Sequence, residues 1–339
     1  MGRTLINKIK KNQIGYFLFK LALLIAIVFT LDFIIGVVLN YFYFKQDNGL
    51  QYRTTYSIEK TKADILIFGS SRANHHYRPD VFENRMKLSF YNAGRDGNFI
   101  FYHLAVLKGV LKRYSPKIVI LDFVIDEFQQ NQIGYDGLSS LLPYYRNHPE
   151  MRSIIDLKSK YERLKMLSCI YPYNSSMFTI AVGNAEFNKK RDNEIQGYVP
   201  LTKTWDGPIL VENNSSKYDI DSVKVNAFKE FILECIQAKV KLYIVCSPYF
   251  AKLNHSDYSL IIGKEIAKRN NIDFFDFSKD TTFINSPKLF ADIEHLNDTG
   301  ASVFSNLLIN SICKTALSES MKTNTTLSDN GCSRITTKN

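Results

Sequence analysis

The chain has 339 residues, 45% of them hydrophobic and 22% charged, a composition that excludes a disordered or fibrous protein and allows one large core or two. Its 43 Lys and Arg against 33 Asp and Glu give a net charge of +10. The basic residues are spread along the chain with no stripe of interleaved stacking aromatics, so no nucleic acid is expected as a partner.

The first element in chain order runs from Tyr16 to Tyr43, an apolar stretch broken only by Lys20 and Asp32. It is long enough to cross roughly 30 Å of hydrocarbon as a helix. No small-residue cleavage pattern follows it, so a signal anchor over 16–44 is expected rather than a removable signal peptide. Arg3, Lys8, Lys10 and Lys11 precede it without a single acid. By the positive-inside rule, residues 1–15 stay cytoplasmic and everything after about residue 45 is extracytoplasmic, in a periplasm or at a cell surface. Asp32 within the span calls for a membrane partner or a proton, with a tolerated lone acid as the alternative. Residues 45–62 read as a polar linker.

From 63 to 315, short apolar runs alternate with amphipathic ones. "ADILIFG" (63–69), "KLSFYN" (87–92), "KIVILDFVI" (117–125), "VKLYIVCSP" (240–248) and "IDFFDF" (272–277) read as five strands. The intervening 99–114, 222–239, 257–270 and 298–314 read as helices. This alternation predicts an α/β fold, a three-layer α/β/α flavodoxin-like parallel sheet of about five strands. Ligands of such sheets bind outside the carboxyl ends of the strands. Residues 128–220 break the rhythm and read as an inserted subdomain over that edge. Its Tyr144, Tyr145, Tyr171, Tyr173, Tyr198 and Trp205 are candidates either for stacking on sugar rings or for the insertion's own core. Residues 316–339 lack apolar periodicity and read as a disordered tail. Cys169, Cys235, Cys246, Cys313 and Cys332 have no metal or redox spacing, and most read as buried thiols.

Chemistry concentrates at two places. The first strand stops at Gly69-Ser70-Ser71, where a hydroxyl at a strand's carboxyl end could be a nucleophile or part of a plain turn. A serine needs a base and a group that orients the base. Of six histidines only His295, in "ADIEHLNDTG", has a carboxylate at suggestive spacing, Asp292 three residues before it. The alternative is that Asp292 only caps a helix. His75 and His76 are adjacent, so their side chains diverge and no third ligand lies nearby. Neither a metal nor a cofactor is expected.

Gly69-Ser70-Ser71 after strand one, "NAGRDG" (92–97) after strand two and Asp292-x-x-His295 before the last helix resemble the blocks of the SGNH (GDSL-like) hydrolases. The resemblance covers residues 63–125 and 222–315, and the Gly-Ser-Ser variant with an anchor is similar to members that handle acyl groups on envelope polymers. It implies Ser71 as nucleophile, His295 as base and Asp292 as its orienter. The oxyanion hole would be the N–H groups of Ser71 and Gly97. One block departs: where the family has Gly-x-Asn-Asp, this chain has Phe123-Val124-Ile125-Asp126. A missing oxyanion donor costs on the order of 3 kcal/mol of transition-state stabilisation. Arg72, Asn74 and Asn98 are the candidates to replace it. The implied activity is that of a membrane-anchored serine esterase or O-acyltransferase acting on acyl esters, acetyl foremost, of cell-envelope glycans, with an acylated carbohydrate or other ester as its substrate. Ile125 motivates the alternative of a catalytically weakened glycan-binding or assembly protein. Asp32 motivates a structural partner in a glycan-synthesis complex.

Overall fold

The computed structural model describes residues 13–185, 193–207, 211–212, 218–250, 252–253 and 257–323. Apolar runs too short for helices and closed by polar turns form the strands of the main sheet, β1 (Ile65–Phe68), β2 (Phe90–Asn92), β3 (Ile118–Asp122), β4 (Lys241–Cys246) and β5 (Asp273–Asp276), while Val211–Glu212 and Lys252–Leu253 pair apart from it. They pair in the order β2-β1-β3-β4-β5, all parallel, with Ile65 opposite both Phe90 and Ile118, Asp122 opposite Val245 and Tyr243 opposite Asp273. This is the flavodoxin-like order, and its reversal falls between β1 and β3. The crevice where such sheets bind ligands therefore opens beyond Phe68 and Asp122.

Besides single four-residue turns, the α-helices are α1 (Gln13–Lys45), α2 (Gly49–Thr55), α3 (Ser71–His76), α4 (Pro79–Met86), α5 (Ile100–Leu111), α6 (Met177–Asn184), α7 (Ser222–Gln237), α8 (Tyr258–Arg269) and α9 (Asp298–Thr323). Alternation along the strands sends side chains to two cores. Leu66, Phe68, Val119, Leu121, Leu242 and Ile244 pack on α5, α7 and α8. Ile65, Ile67, Ile118, Ile120, Tyr243 and Val245 pack on α4 and α9, through Phe82, Met86, Phe304 and Leu308. Each such fully buried aliphatic or Phe side chain contributes roughly 1.5–3 kcal/mol of transfer free energy. Three layers result.

Four sequence expectations change. The stretch expected as a linker is instead helical: α2 passes into a π-helical turn over Tyr56–Lys60, with Arg53, Thr54, Ser57 and Ile58 buried. Ile58 joins the α5 core, and Arg113 holds the turn by donating to the carbonyls of Ile58 (2.5 Å) and Thr61 (3.0 Å). Helix α9 continues through Thr323, past the expected start of the tail, while 324–339 lie outside the described residues. Cys235 and Cys246 are buried thiols, but Cys313 is disulfide-bonded. Cys332 lies outside the described residues. Finally, the insertion is divided. Its first part, short turns of helix up to α6, packs on α5 and α1, and 193–205 crosses the strand ends. There Gln196 accepts from the N–H of Asn92 at 2.9 Å and Val199 donates to the carbonyl of Asn74 at 3.0 Å. Tyr144, Tyr173 and Tyr198 are buried, so they are core rather than a sugar platform.

Candidate active site

Strand β1 ends at Gly69, whose φ of +148° is a conformation L side chains rarely adopt. A Cβ there would stand 2.7 Å from the Cβ of Ala73 and 2.8 Å from that of Asp122, so only glycine fits. The chain turns at once into α3, and Ser71 is its first residue. The loop after β2 is laced to this turn: Arg95 donates its N–H to the carbonyl of Gly69 (2.9 Å), and Asn92 donates Nδ2 to that of Ala73 (2.7 Å). Gly97 follows at φ +68°. Residues 28 positions apart in the chain thereby become two walls of one crevice.

His295 arrives from the loop before α9. Its Nε2 lies 2.8 Å from Ser71 Oγ, and its Nδ1 lies 2.9 and 3.0 Å from the two oxygens of Asp292. An ionised carboxylate only accepts, so Nδ1 carries the ring proton and Nε2 is free to accept from the serine hydroxyl. Asp292 also accepts from the backbone N–H groups of Glu294 (2.9 Å) and His295 (2.8 Å). Partial burial pushes its pKa up, but these N–H groups and the His295 ring outweigh it, and the carboxyl is held below its usual range. One carboxylate thus closes the Asp292–His295 turn and bonds the His295 ring, and no helix begins there for it to cap.

A cavity of about 310 Å³ opens beside Ser71, lined among others by Gly97, Phe99, Ile125, Asp126 and Tyr249. As the first residue of a helix, Ser71 has no intrahelical acceptor for its N–H. Among the described residues no backbone carbonyl takes the N–H of Ser71 or Gly97. Ile125 contributes only hydrocarbon from its side chain. Asp126, at φ +61°, faces the same cavity. Burial first, then the nearby Asp257 carboxylate, push its pKa up to about 7, against the opposing charge of Lys224. A larger cavity, about 450 Å³, lies between Tyr52, Tyr56, Tyr91 and Glu83 and contains neither serine–histidine pair nor glycine turn.

The three candidate replacements for the missing donor go to different places. Arg72 lines the Ser71 cavity, yet its guanidinium is held by Ser247, through Oγ at 2.7 Å and the carbonyl oxygen, with the Tyr249 ring 3.3 Å away. Asn74 and Asn98 do not line that cavity. Asn74 accepts from Arg53 (2.7 Å) and donates to Asp96 (2.8 Å), and Asn98 donates to the carbonyl of Asp96 (3.0 Å). His76 lies fully buried beneath the site. Its Nε2 accepts the N–H of Leu296 (3.0 Å), so its Nδ1 proton goes to Ser247 Oγ (2.9 Å). Desolvation, then the Arg72 charge, hold it well below the ordinary histidine range. It pins the residue next to His295 and has no nitrogen left for Ser71. His75 is half-committed, its Nδ1 2.7 Å from the carbonyl of Val199, its ring 5.4 Å from that of His295. Ser247 and Tyr249 had one signal in the sequence: "SPYF" (247–250) follows β4, so both stand at the strand ends where ligands bind.

No family model and no curated protein matches the chain. Solved structures similar to it include an acetyl xylan esterase, 15% identical, matched over 73% of this chain and 99% of that one with a TM-score of 0.38. Another is a provisionally assigned acylhydrolase from Bacteroides fragilis, 15% identical over 79% of this chain and 97% of that one, TM-score 0.39. Likenesses this distant carry no argument about activity.

Proposed function

We propose that the chain is a membrane-anchored, extracytoplasmic serine esterase or O-acyltransferase of SGNH type, acting on acyl esters, chiefly acetyl, of envelope glycans. The observation that carries the reading is the continuous relay Ser71–His295–Asp292, with its nucleophile at the mouth of a cavity whose other wall bears Gly97. Ser71 Oγ attacks the ester carbonyl carbon and passes its proton to His295 Nε2. The carbonyl oxygen becomes an oxyanion facing the N–H groups of Ser71 and Gly97. The C–O bond to the sugar breaks, His295 returns the proton to the departing sugar oxygen, and the acyl group stays on Ser71. Water or a second sugar hydroxyl, deprotonated by His295, then takes the acyl group and restores the serine. Asp292 steadies the imidazolium formed in both halves.

Export is supported by the basic flank before α1, which the positive-inside rule keeps in the cytoplasm. The 33-residue apolar helix serves as the anchor in this reading. The second reading, a weakened glycan-binding protein, rests on Ile125, which removes a side-chain donor from the oxyanion site. Acetate release separates the two. Purified full-length chain should liberate acetate from O-acetylated glycan or an aryl acetate, and Ser71→Ala should abolish it. A folded wild-type chain that binds acetylated glycan but releases no acetate favours the second.

A further inference from the structure

Asp32 is not left to a partner helix. Its carboxylate accepts from Ser168 Oγ (2.5 Å), the N–H of Cys169 (2.6 Å) and the N–H of Ile170 (3.3 Å), all from the insertion. From there to its end α1 stays docked on the same segment. Gly36 is pressed so closely against Cys169 that a Cβ would overlap the Cys169 backbone. Asn40 donates to Tyr173 OH (2.6 Å), Tyr43 packs on Tyr144 and Tyr173, and Asn184 of α6 donates to the carbonyl of Phe42 (2.9 Å). The part of α1 before this junction, 13–31, is 19 residues or about 28 Å long at about 1.5 Å per residue. That length alone matches a hydrocarbon core of about 30 Å. The Asp32 junction therefore belongs at the outer boundary of the hydrocarbon, where polar partners are tolerated.

Beside this junction the insertion presents large apolar side chains to the outside: Leu164 is 65% exposed, Leu167 69% and Phe178 80%. Tyr161, half exposed with Lys160 over its ring at 4.9 Å, adds the aromatic and basic pairing favoured at membrane interfaces. We propose that residues 162–184 form a second membrane-contact surface, occupied by the lipid of the leaflet from which α1 emerges. The proposal rests on the anchor reading above. Continuity fixes the occupant, because α1 docks directly on this segment, through Asp32, Gly36 and Asn40, and so delivers this face to the bilayer. It also fixes the attitude of the active site. The stem after α1 is bonded to both crevice walls, with Arg53 donating to Asn74 of α3 and Arg95 donating to Thr54 Oγ1 (2.6 Å) and the carbonyl of Leu50. The catalytic edge is thus tied to the membrane by two rigid contacts rather than a flexible tether.

The chain has one tryptophan, Trp205, which makes a fluorescence test direct. In a Trp205→Phe background, Leu167→Trp and Phe178→Trp are each reconstituted as full-length chain in phosphatidylcholine–phosphatidylglycerol vesicles. Leu24→Trp in α1 and Ile261→Trp on exposed α8 serve as the lipid and water references. The proposal expects both insertion tryptophans to lose emission to acyl-brominated lipid as Leu24→Trp does, and to resist aqueous iodide. Iodide quenching at both, with Leu24→Trp quenched by brominated lipid, overturns the surface while leaving the anchor intact. Iodide quenching at Leu24→Trp as well overturns anchor and surface together. None of these readouts uses the chemistry at Ser71, so loss of the proposed activity would not register in them.

Discussion

Asp292 separates turn closure from catalysis at a single side chain, because its Oδ1 serves the turn while both oxygens face the His295 ring. Asparagine closes a turn of this kind through its side-chain oxygen as aspartate does. It cannot, however, offer a second anionic oxygen to Nδ1–H or balance the charge of an imidazolium. Asp292→Asn should therefore lower kcat on an aryl acetate by about 10⁴-fold, the scale seen when such an orienter is neutralised, while the thermal midpoint moves little. A large fall in midpoint with activity retained would make Asp292 only a turn-closing residue. Asp126 makes a separate prediction about pH. Its carboxyl, with a pKa raised to about 7, is neutral below that and adds a negative charge to the cavity above it. That charge opposes the developing oxyanion, so kcat/KM should fall as pH rises through 7. Asp126→Asn should be nearly silent at pH 6 and faster than wild type at pH 8.5 by about tenfold, equivalent to roughly 1.4 kcal/mol in the barrier. A pH profile unchanged by the substitution would show that Asp126 does not sense the reacting oxygen.

The element that makes the site is the strand–turn–helix at 65–76, and it depends on one backbone geometry. Gly69→Ala puts a methyl against Ala73 and Asp122 at a φ that L residues avoid. Strain of this kind costs about 1–3 kcal/mol, and relief of it would tilt α3 and move Ser71. Thermal denaturation should show the loss of stability, and acetate release should fall further than the stability loss explains. The elements themselves were largely legible in the sequence. Five apolar runs appear as five strands, each trimmed by one or more residues at its ends, and "IVILD" is buried throughout as a central strand must be. The stem over 49–60 was not legible, because it is mostly polar and its burial depends on partners far along the chain, through hydrogen bonds such as Thr55 to Tyr144 and through the single apolar Ile58. Nor was the extension of α9: "TALSESMKT" has no apolar period, yet Ala, Leu, Glu, Met and Lys all favour helix. Ser71, Asp292 and His295 were nameable because spacing and strand ends announce them. Ser247, 175 residues from Arg72, meets it only through the sheet.

At the scale of the whole molecule, an apolar helix, a polar stem and a doubly wound sheet form one connected body. The sheet brings the end of β1 and the loop before α9, over 200 residues apart, to a single hydroxyl. Everything proposed about catalysis passes through that hydroxyl. The direct test is covalent: a fluorophosphonate, whose phosphorus is attacked by an activated serine with loss of fluoride, is incubated with the folded full-length chain, and the adduct is located by peptide mass spectrometry. The account predicts one adduct, on Ser71, lost in Ser71→Ala and in His295→Ala variants that still melt cooperatively. An unlabelled but folded wild-type chain, or an adduct that persists in Ser71→Ala, would contradict it.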